Sequence, residues 1–222
     1  SIKQDNSVMK VGTDGVLLGS WACCKKTDRI LDVGSGTGLI SLMLAQRYCK
    51  SRVVGIEIDQ ISAKESELNV YNSKWSQRIE IINVSLQKFV SKNKFDLIVS
   101  NPPFFVSYQL KKRKSIAKHM NKLSFSELVE NCSKLLLKDG IFAVIIPVET
   151  ELHFCAIAKK YNLYCNRACY VKGHSKSKVK RVMMEFSFHD IRSKIENLTI
   201  EYSRHEYTEE YIKLTQDFYL DM

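Results

Sequence analysis

Arg29-Ile-Leu-Asp32-Val-Gly34-Ser-Gly36-Thr-Gly38 runs from a short apolar segment into a glycine turn, and Leu39–Tyr48 follows with helical length and propensity. A strand that enters a glycine turn and leaves it as a helix is the context of a nucleotide-type pocket. The spacing narrows the ligand. A dinucleotide fingerprint needs its third glycine at position 39, where Leu39 stands, and no Gly-Lys-Ser/Thr run of a P-loop is present. Asp32 adds a sign. A carboxylate beside the turn repels a pyrophosphate but suits a ligand with a cationic amino-acid end.

Working outward, Arg52–Ile58 reads as a second strand, Ile61–Asn72 as a helix and Ile79–Asn83 as a third strand. A short helix is expected around Leu86–Val90. Phe95–Ser100 reads as a fourth strand, halted by Pro102 and Pro103. Ser124-Phe-Ser-Glu127 is a capping box that opens a helix to Leu137. Gly140–Ile146 reads as a fifth strand, Leu152–Lys160 as a helix, and Leu163–Val171 with Val182–Phe188 as a closing antiparallel pair. Alternating strands and helices predict an α/β domain with a mostly parallel sheet covered on both faces. Ligands of such sheets bind at the carboxyl ends of the strands.

Two features lie at that end. Glu57 closes the second strand, nineteen residues after Gly38, and can accept hydrogen bonds from both hydroxyls of a ribose. Asp59 competes for the role, and Glu57 is preferred because it lies nearer the strand's end. Asn101-Pro102-Pro103-Phe104 follows the fourth strand directly. An aromatic or amide amine is a weak nucleophile because its lone pair is delocalised. The Asn101 side-chain oxygen and the Pro102 carbonyl can accept its two N–H hydrogens and favour a pyramidal nitrogen. The prolines restrict the backbone, and Phe104 can stack on a planar base, worth roughly 1–3 kcal/mol.

With 222 residues the chain fits one domain. We divide it into an N-terminal extension (1–27), a core (28–190) and a C-terminal segment (191–222). The tyrosine-containing stretch from Glu201 to Met222 is expected to be an amphipathic helical end. Seven cysteines without a CxxC pair argue against a disulfide framework and a zinc site, so no metal is expected. Cys49 and Cys155 are read as packing residues. No apolar run approaches the roughly 20 residues that cross a bilayer, and no apolar leader is visible, so a cytoplasmic location is expected.

The 34 basic and 24 acidic residues leave a net charge of +10, which favours a polyanionic partner. Two basic clusters flank the tetrapeptide. One holds Lys111, Lys112, Arg113, Lys114, Lys118 and His119. The other holds Lys172, Lys176, Lys178, Lys180 and Arg181, in the turn between the last two expected strands. If the sixth strand is parallel to the fourth, that turn lies on the same edge as Asn101, and both clusters frame a cleft along which a nucleic-acid backbone can run.

Asp32–Gly38 with Asn101–Phe104 resembles the class I amino-methyltransferase pattern, shared by adenine-N6, guanine-N2 and protein glutamine methyltransferases. Met9-Lys10-Val-Gly-Thr13-Asp14-Gly15-Val-Leu-Leu-Gly-Ser-Trp21 closely resembles the segment before the first strand in bacterial tRNA valine (adenine-N6)-methyltransferases. The resemblance runs from roughly Gln4 to Phe188. It implies a Rossmann-like, seven-stranded sheet with the last strand antiparallel, S-adenosylmethionine as cofactor, and N6-methylation of an adenine 3′ of the anticodon (position 37) of a valine tRNA. Protein glutamine N5 and rRNA guanine-N2 are the alternative targets. It also implies that Lys10, Thr13 and Asp14 line the cofactor pocket beside Asp32, Gly34, Gly36, Gly38 and Glu57, with Asn101 meeting cofactor and substrate. Many relatives place an acid near the end of the third strand to hold the cofactor's adenine. Here Asn83 and Ser85 stand nearest, and the backbone or the Ser85 hydroxyl is expected to serve. No obligate protein partner is implied.

Overall fold

The computed structural model describes residues 2–4, 11–103 and 123–219. In order, they form α1 (Thr13–Trp21), β1 (Arg29–Val33), α2 (Leu39–Arg47), β2 (Arg52–Glu57), α3 (Gln60–Tyr71), β3 (Ile79–Asn83) and β4 (Phe95–Ser100). Then come α4 (Phe125–Leu135), β5 (Leu136–Pro147), α5 (Glu151–Lys160), β6 (Tyr164–His174), β7 (Val179–Ser187), β8 (Lys194–Ser203), β9 (Glu206–Tyr207) and α6 (Glu209–Thr215). All strands join one sheet in the order β3-β2-β1-β4-β5-β7-β6-β8-β9.

β1 to β5 are parallel, as their near-continuous apolar runs predict for strands covered on both faces. β7 enters antiparallel between β5 and β6. Two strands extend the expected seven: β8 lies parallel to β6, and β9 turns back along β8. The stretch from Glu201 is therefore not helical from its start. It finishes β8 and β9, and only Glu209–Thr215 is α-helix, capped by Thr208 whose side chain accepts from the Tyr211 N–H. Leu198-Thr-Ile200 explains the strand, since Leu198 and Ile200 point to one face of the sheet and Thr199 to the other.

Each face of the sheet has its own core. One holds Leu17, Leu18, Trp21, Ile30, Leu97, Val99, Ile145 and Met183, under α1, α2 and α6. The other holds Leu31, Ile98, Val129, Phe142, Val144, Phe154 and Phe186, under α4 and α5. Successive residues of β4 and β5 alternate between them, the period-2 signature of a strand. Gly19 lets α1 close on α2, because a β-carbon there would lie 2.8 Å from Met43 Sδ. The expected capping box of α4 is present, with the Ser124 side chain and Glu127 bonding reciprocally. All seven cysteines are free thiols. Cys155 packs partly against the second core. Cys49 is exposed, contrary to the packing role expected of it.

Candidate active site

The glycine turn is held by β2. The N–H groups of Gly34 and Ser35 both donate to the Ile56 carbonyl, at 2.9 and 3.0 Å, and the Gly38 N–H closes on the Ser35 carbonyl at 2.8 Å. Gly34, Gly36 and Gly38 have φ of 77°, 54° and 80°, the left-handed region that glycine enters without a β-carbon clash. They differ in surroundings. A β-carbon on Gly34 or Gly36 would meet nothing within 4 Å, whereas one on Gly38 would lie 2.5 Å from Ser66 Oγ. The first two glycines border open space, and the third is packed against α3.

Asp32 is fully buried at the end of β1. Its Oδ2 accepts from Ser41 Oγ at 2.7 Å, and its Oδ1 has no partner among the described residues. Burial pushes its pKa up to about 7, against the opposing hydrogen bonds from Ser41. Ser41, on α2, is a contributor that the motif alone did not reveal. A buried carboxylate oxygen without a donor fits a cationic ligand group.

Glu57 ends β2 with both oxygens turned to the backbone. Oε2 accepts from the Gly36 N–H at 2.9 Å and Oε1 from the Asp59 N–H at 2.9 Å. Each oxygen keeps acceptor capacity, since an ionised carboxylate has about four lone-pair sites. Asp59 is committed elsewhere, as the N-cap of α3 accepting from the Ser62 N–H. Ile58 between them is 52% exposed, an apolar side chain beside the cleft that sequence reasoning passed over. Asn83 donates its amide to the carbonyls of Glu57 and Ile58. Ser85, half-buried, opens the 3-10 turn Leu86–Lys88 without a side-chain cap.

Asn101 lies one residue beyond the paired Val33 and Ser100, so it borders the first glycine of the turn across the β1–β4 ladder. Ser100 Oγ donates to the Val33 carbonyl at 3.0 Å and fixes the approach of the two strand ends. The Asn101 side-chain oxygen is buried and has no hydrogen-bond partner among the described residues. Pro102 is buried and Pro103 exposed. A buried amide oxygen left unpartnered costs free energy unless a ligand N–H supplies the bond.

Of the other expected residues, Thr13 and Asp14 open α1, whose N-cap is Gly12; neither caps it. Asp14 instead accepts from Arg181 Nε at 2.8 Å. Arg181 is half-buried, so this member of the second basic cluster is also a tie between α1 and β7. Lys176, Lys178 and Lys180 are exposed and Lys172 half-exposed. β6 runs parallel to β4 through the ladders of β5 and β7, which sets the β6–β7 turn on the Asn101 edge. Lys10, Phe104, Lys111, Lys112, Arg113, Lys114, Lys118 and His119 lie outside the described residues. Among the described residues no group of three or more His, Cys, Asp or Glu side chains could hold a metal, and no helix is long and apolar enough to cross a membrane.

Comparison with known proteins agrees with this geometry. The family model "Methyltransferase small domain" matches residues 14–162. The tRNA1(Val) (adenine(37)-N6)-methyltransferase of Trichodesmium erythraeum is 43% identical over 226 residues, covering 99% of this chain and 95% of the relative. An Agrobacterium tumefaciens structure described as a predicted O-methyltransferase superposes with a TM-score of 0.72 at 18% identity, covering 92% of this chain and 96% of that one. A TehB-like SAM-dependent methyltransferase from Corynebacterium glutamicum gives 0.53 at 18% identity, covering 78% and 86%. These structures share the class I methyltransferase fold, and the match to the curated relative runs the length of both chains. The chain belongs to the tRNA1(Val) (adenine(37)-N6)-methyltransferase family.

Proposed function

We propose that this protein transfers the methyl group of S-adenosylmethionine to the exocyclic N6 of adenine 37 in a valine tRNA. The observation that carries the chemistry is the buried, unpartnered Asn101 side-chain oxygen beside the glycine turn. Asp32 would pair with the cofactor's ammonium, Glu57 would accept from its ribose hydroxyls, and the open space at Gly34 and Gly36 would admit it close to the turn. Ser85 or neighbouring backbone would hold the cofactor's adenine, and Thr13, Asp14 and Lys10 are assigned to the same pocket.

Asn101 Oδ1 and the Pro102 carbonyl accept the two N6 hydrogens and turn the lone pair toward the methyl group. The N6 lone pair forms the new C–N bond as the S–CH3 bond breaks. The bonding pair returns to sulfur, leaving S-adenosylhomocysteine, and the surplus N6 proton passes to solvent. No strong base is required, because alignment and electrostatic complementarity supply the rate.

The polyanion is held by Lys172, Lys176, Lys178 and Lys180 with Arg181; Lys111, Lys112, Arg113, Lys114, Lys118 and His119 are assigned to the same partner, and Phe104 to the target base. Glutamine N5 and guanine N2 are not favoured, because the full-length relative is named for adenine N6. The test is nucleoside mass spectrometry of tRNA from cells with and without this gene. Loss of N6-methyladenosine from the valine tRNA is expected, and an unchanged nucleoside profile would sink the reading.

A further inference from the structure

The turn that joins β8 to β9 opens on the edge that carries Asn101. Its direction follows from the ladders. β4 is parallel to β5, β5 antiparallel to β7, β7 antiparallel to β6, and β6 parallel to β8. The carboxyl ends of β4, β6 and β8 therefore share one edge. The pairing of His174 with Glu201 sets the end of β8 directly beside the lysine turn of β6 and β7.

The composition of that turn is what a nucleic-acid surface uses. Tyr202 is 56% exposed, and Ser203, Arg204 and His205 are exposed beside it. Core packing on β8 ends with the partly buried Ile200, and Tyr202 and Arg204 lie beyond it. Two nearby acids are tied into the turn itself: Glu201 Oε2 accepts from the His205 N–H at 3.3 Å, and Glu206 Oε2 accepts from Ser203 Oγ at 2.9 Å. His205 sits at φ 68°, the left-handed conformation that reverses the chain. Arg204 forms no ion pair among the described residues. A guanidinium and an aromatic ring side by side, next to exposed lysines, match a surface that pairs with phosphate and packs on a nucleotide.

The distance excludes a role at the target base. Along β4-β5-β7-β6-β8 the turn stands four strand spacings from Asn101, about 19 Å at ~4.8 Å per strand. Resting on the tRNA reading above, we propose that the β8–β9 turn is a second RNA contact: Arg204 pairs with a backbone phosphate and Tyr202 packs on the adjoining nucleotide, well away from the methylated base. It recognises the folded extent of the substrate, and the Asn101 site recognises the base.

The test is filter binding and methylation with an unmodified valine tRNA transcript and, separately, a short single-stranded RNA with one target adenosine. The variant is Tyr202→Ser/Arg204→Ser/His205→Gly, in which glycine suits the left-handed position. Its Kd for the transcript should rise about tenfold and its salt slope fall by about one, with kcat at saturating transcript unchanged. Its Kd for the short RNA should stay at the wild-type value, because that RNA does not span the distance. Arg204→Lys, which keeps the charge, should bind the transcript within about threefold of wild type. Transcript binding by the triple variant within twofold of wild type overturns the proposal, as does an equal loss on both RNAs. If wild-type enzyme neither binds nor methylates the transcript, the tRNA reading fails first and this inference with it.

Discussion

Ser41 Oγ donates to Asp32 Oδ2 at 2.7 Å, while the other oxygen of the same buried carboxylate has no partner. With its pKa pushed up to about 7, well above the ordinary carboxylate range, Asp32 binds a proton more tightly in the folded chain than in the unfolded one. The sign follows. The ligand-free protein loses stability as pH rises from about 4 through about 7, where the folded form must carry a buried charge. A cationic cofactor reverses that cost, so S-adenosylhomocysteine should bind more tightly at pH 8 than at pH 6, with proton release. Calorimetry at the two pH values checks it, and Asp32→Asn should weaken binding and flatten the pH dependence. A wild-type affinity that does not change with pH contradicts the assigned role of Asp32.

Asn101→Ala should reduce methyl transfer by about 10²–10³-fold, the scale seen when one preorganised hydrogen-bonding group is removed from a reacting centre. Cofactor affinity should stay within about twofold. Single-turnover assays with tRNA and calorimetry with S-adenosylhomocysteine separate the two effects. A variant as fast as wild type would remove Asn101 from the mechanism.

Gly36 and Gly38 should fail differently when changed to alanine. Both positions hold positive φ, a strain of about 1–2 kcal/mol for a residue with a β-carbon. Gly38→Ala also meets Ser66 Oγ, and its Tm should fall by about 2–8 °C or more. The added methyl of Gly36→Ala enters the open space assigned to the cofactor, so KM for S-adenosylmethionine should rise by more than its Tm loss explains. Thermal melts and cofactor titrations of the two variants check the contrast; identical profiles would refute it.

Lys176 and Lys178 are exposed, whereas Arg181 is half-buried against Asp14. Lys176→Ala/Lys178→Ala should weaken tRNA binding with little sequence preference and lower the salt slope by about two. It should leave Tm unchanged. Arg181→Ala should lower Tm, because it unties α1 from β7 and leaves a half-buried carboxylate unpaired. Salt-dependent binding and melting of both variants decide the assignment.

The parallel core was legible because Arg29–Val33, Arg52–Glu57 and Phe95–Ser100 are short apolar runs, each stopped by glycine, acid or proline chemistry at its carboxyl end. Asp32, Glu57 and Asn101 were legible for the same reason, since strand-end residues of a parallel sheet converge without any knowledge of the loops. β8 was missed because four tyrosines from 202 onward suggested a helical face, while the period-2 signal of Leu198 and Ile200 spans only a few residues. Ser41 as the partner of Asp32 depends on how α2 rotates against β1. The Asp14–Arg181 pair joins residues 167 apart and carries no local signature.

That pair also orders events during synthesis. At about 5–20 residues per second, a ribosome needs about 8–33 s to travel from Asp14 to Arg181. Through that interval β1 to β4 and the glycine turn can assemble, but the guanidinium that ties α1 to β7 has not yet been made. A nascent chain released early, before β7 slots between β5 and β6, carries the glycine turn and Asn101 yet lacks the tie between α1 and β7. Truncation before residue 179 therefore yields a chain with every sequence signature of the enzyme and a first helix held by its apolar packing, without its ionic tie to β7.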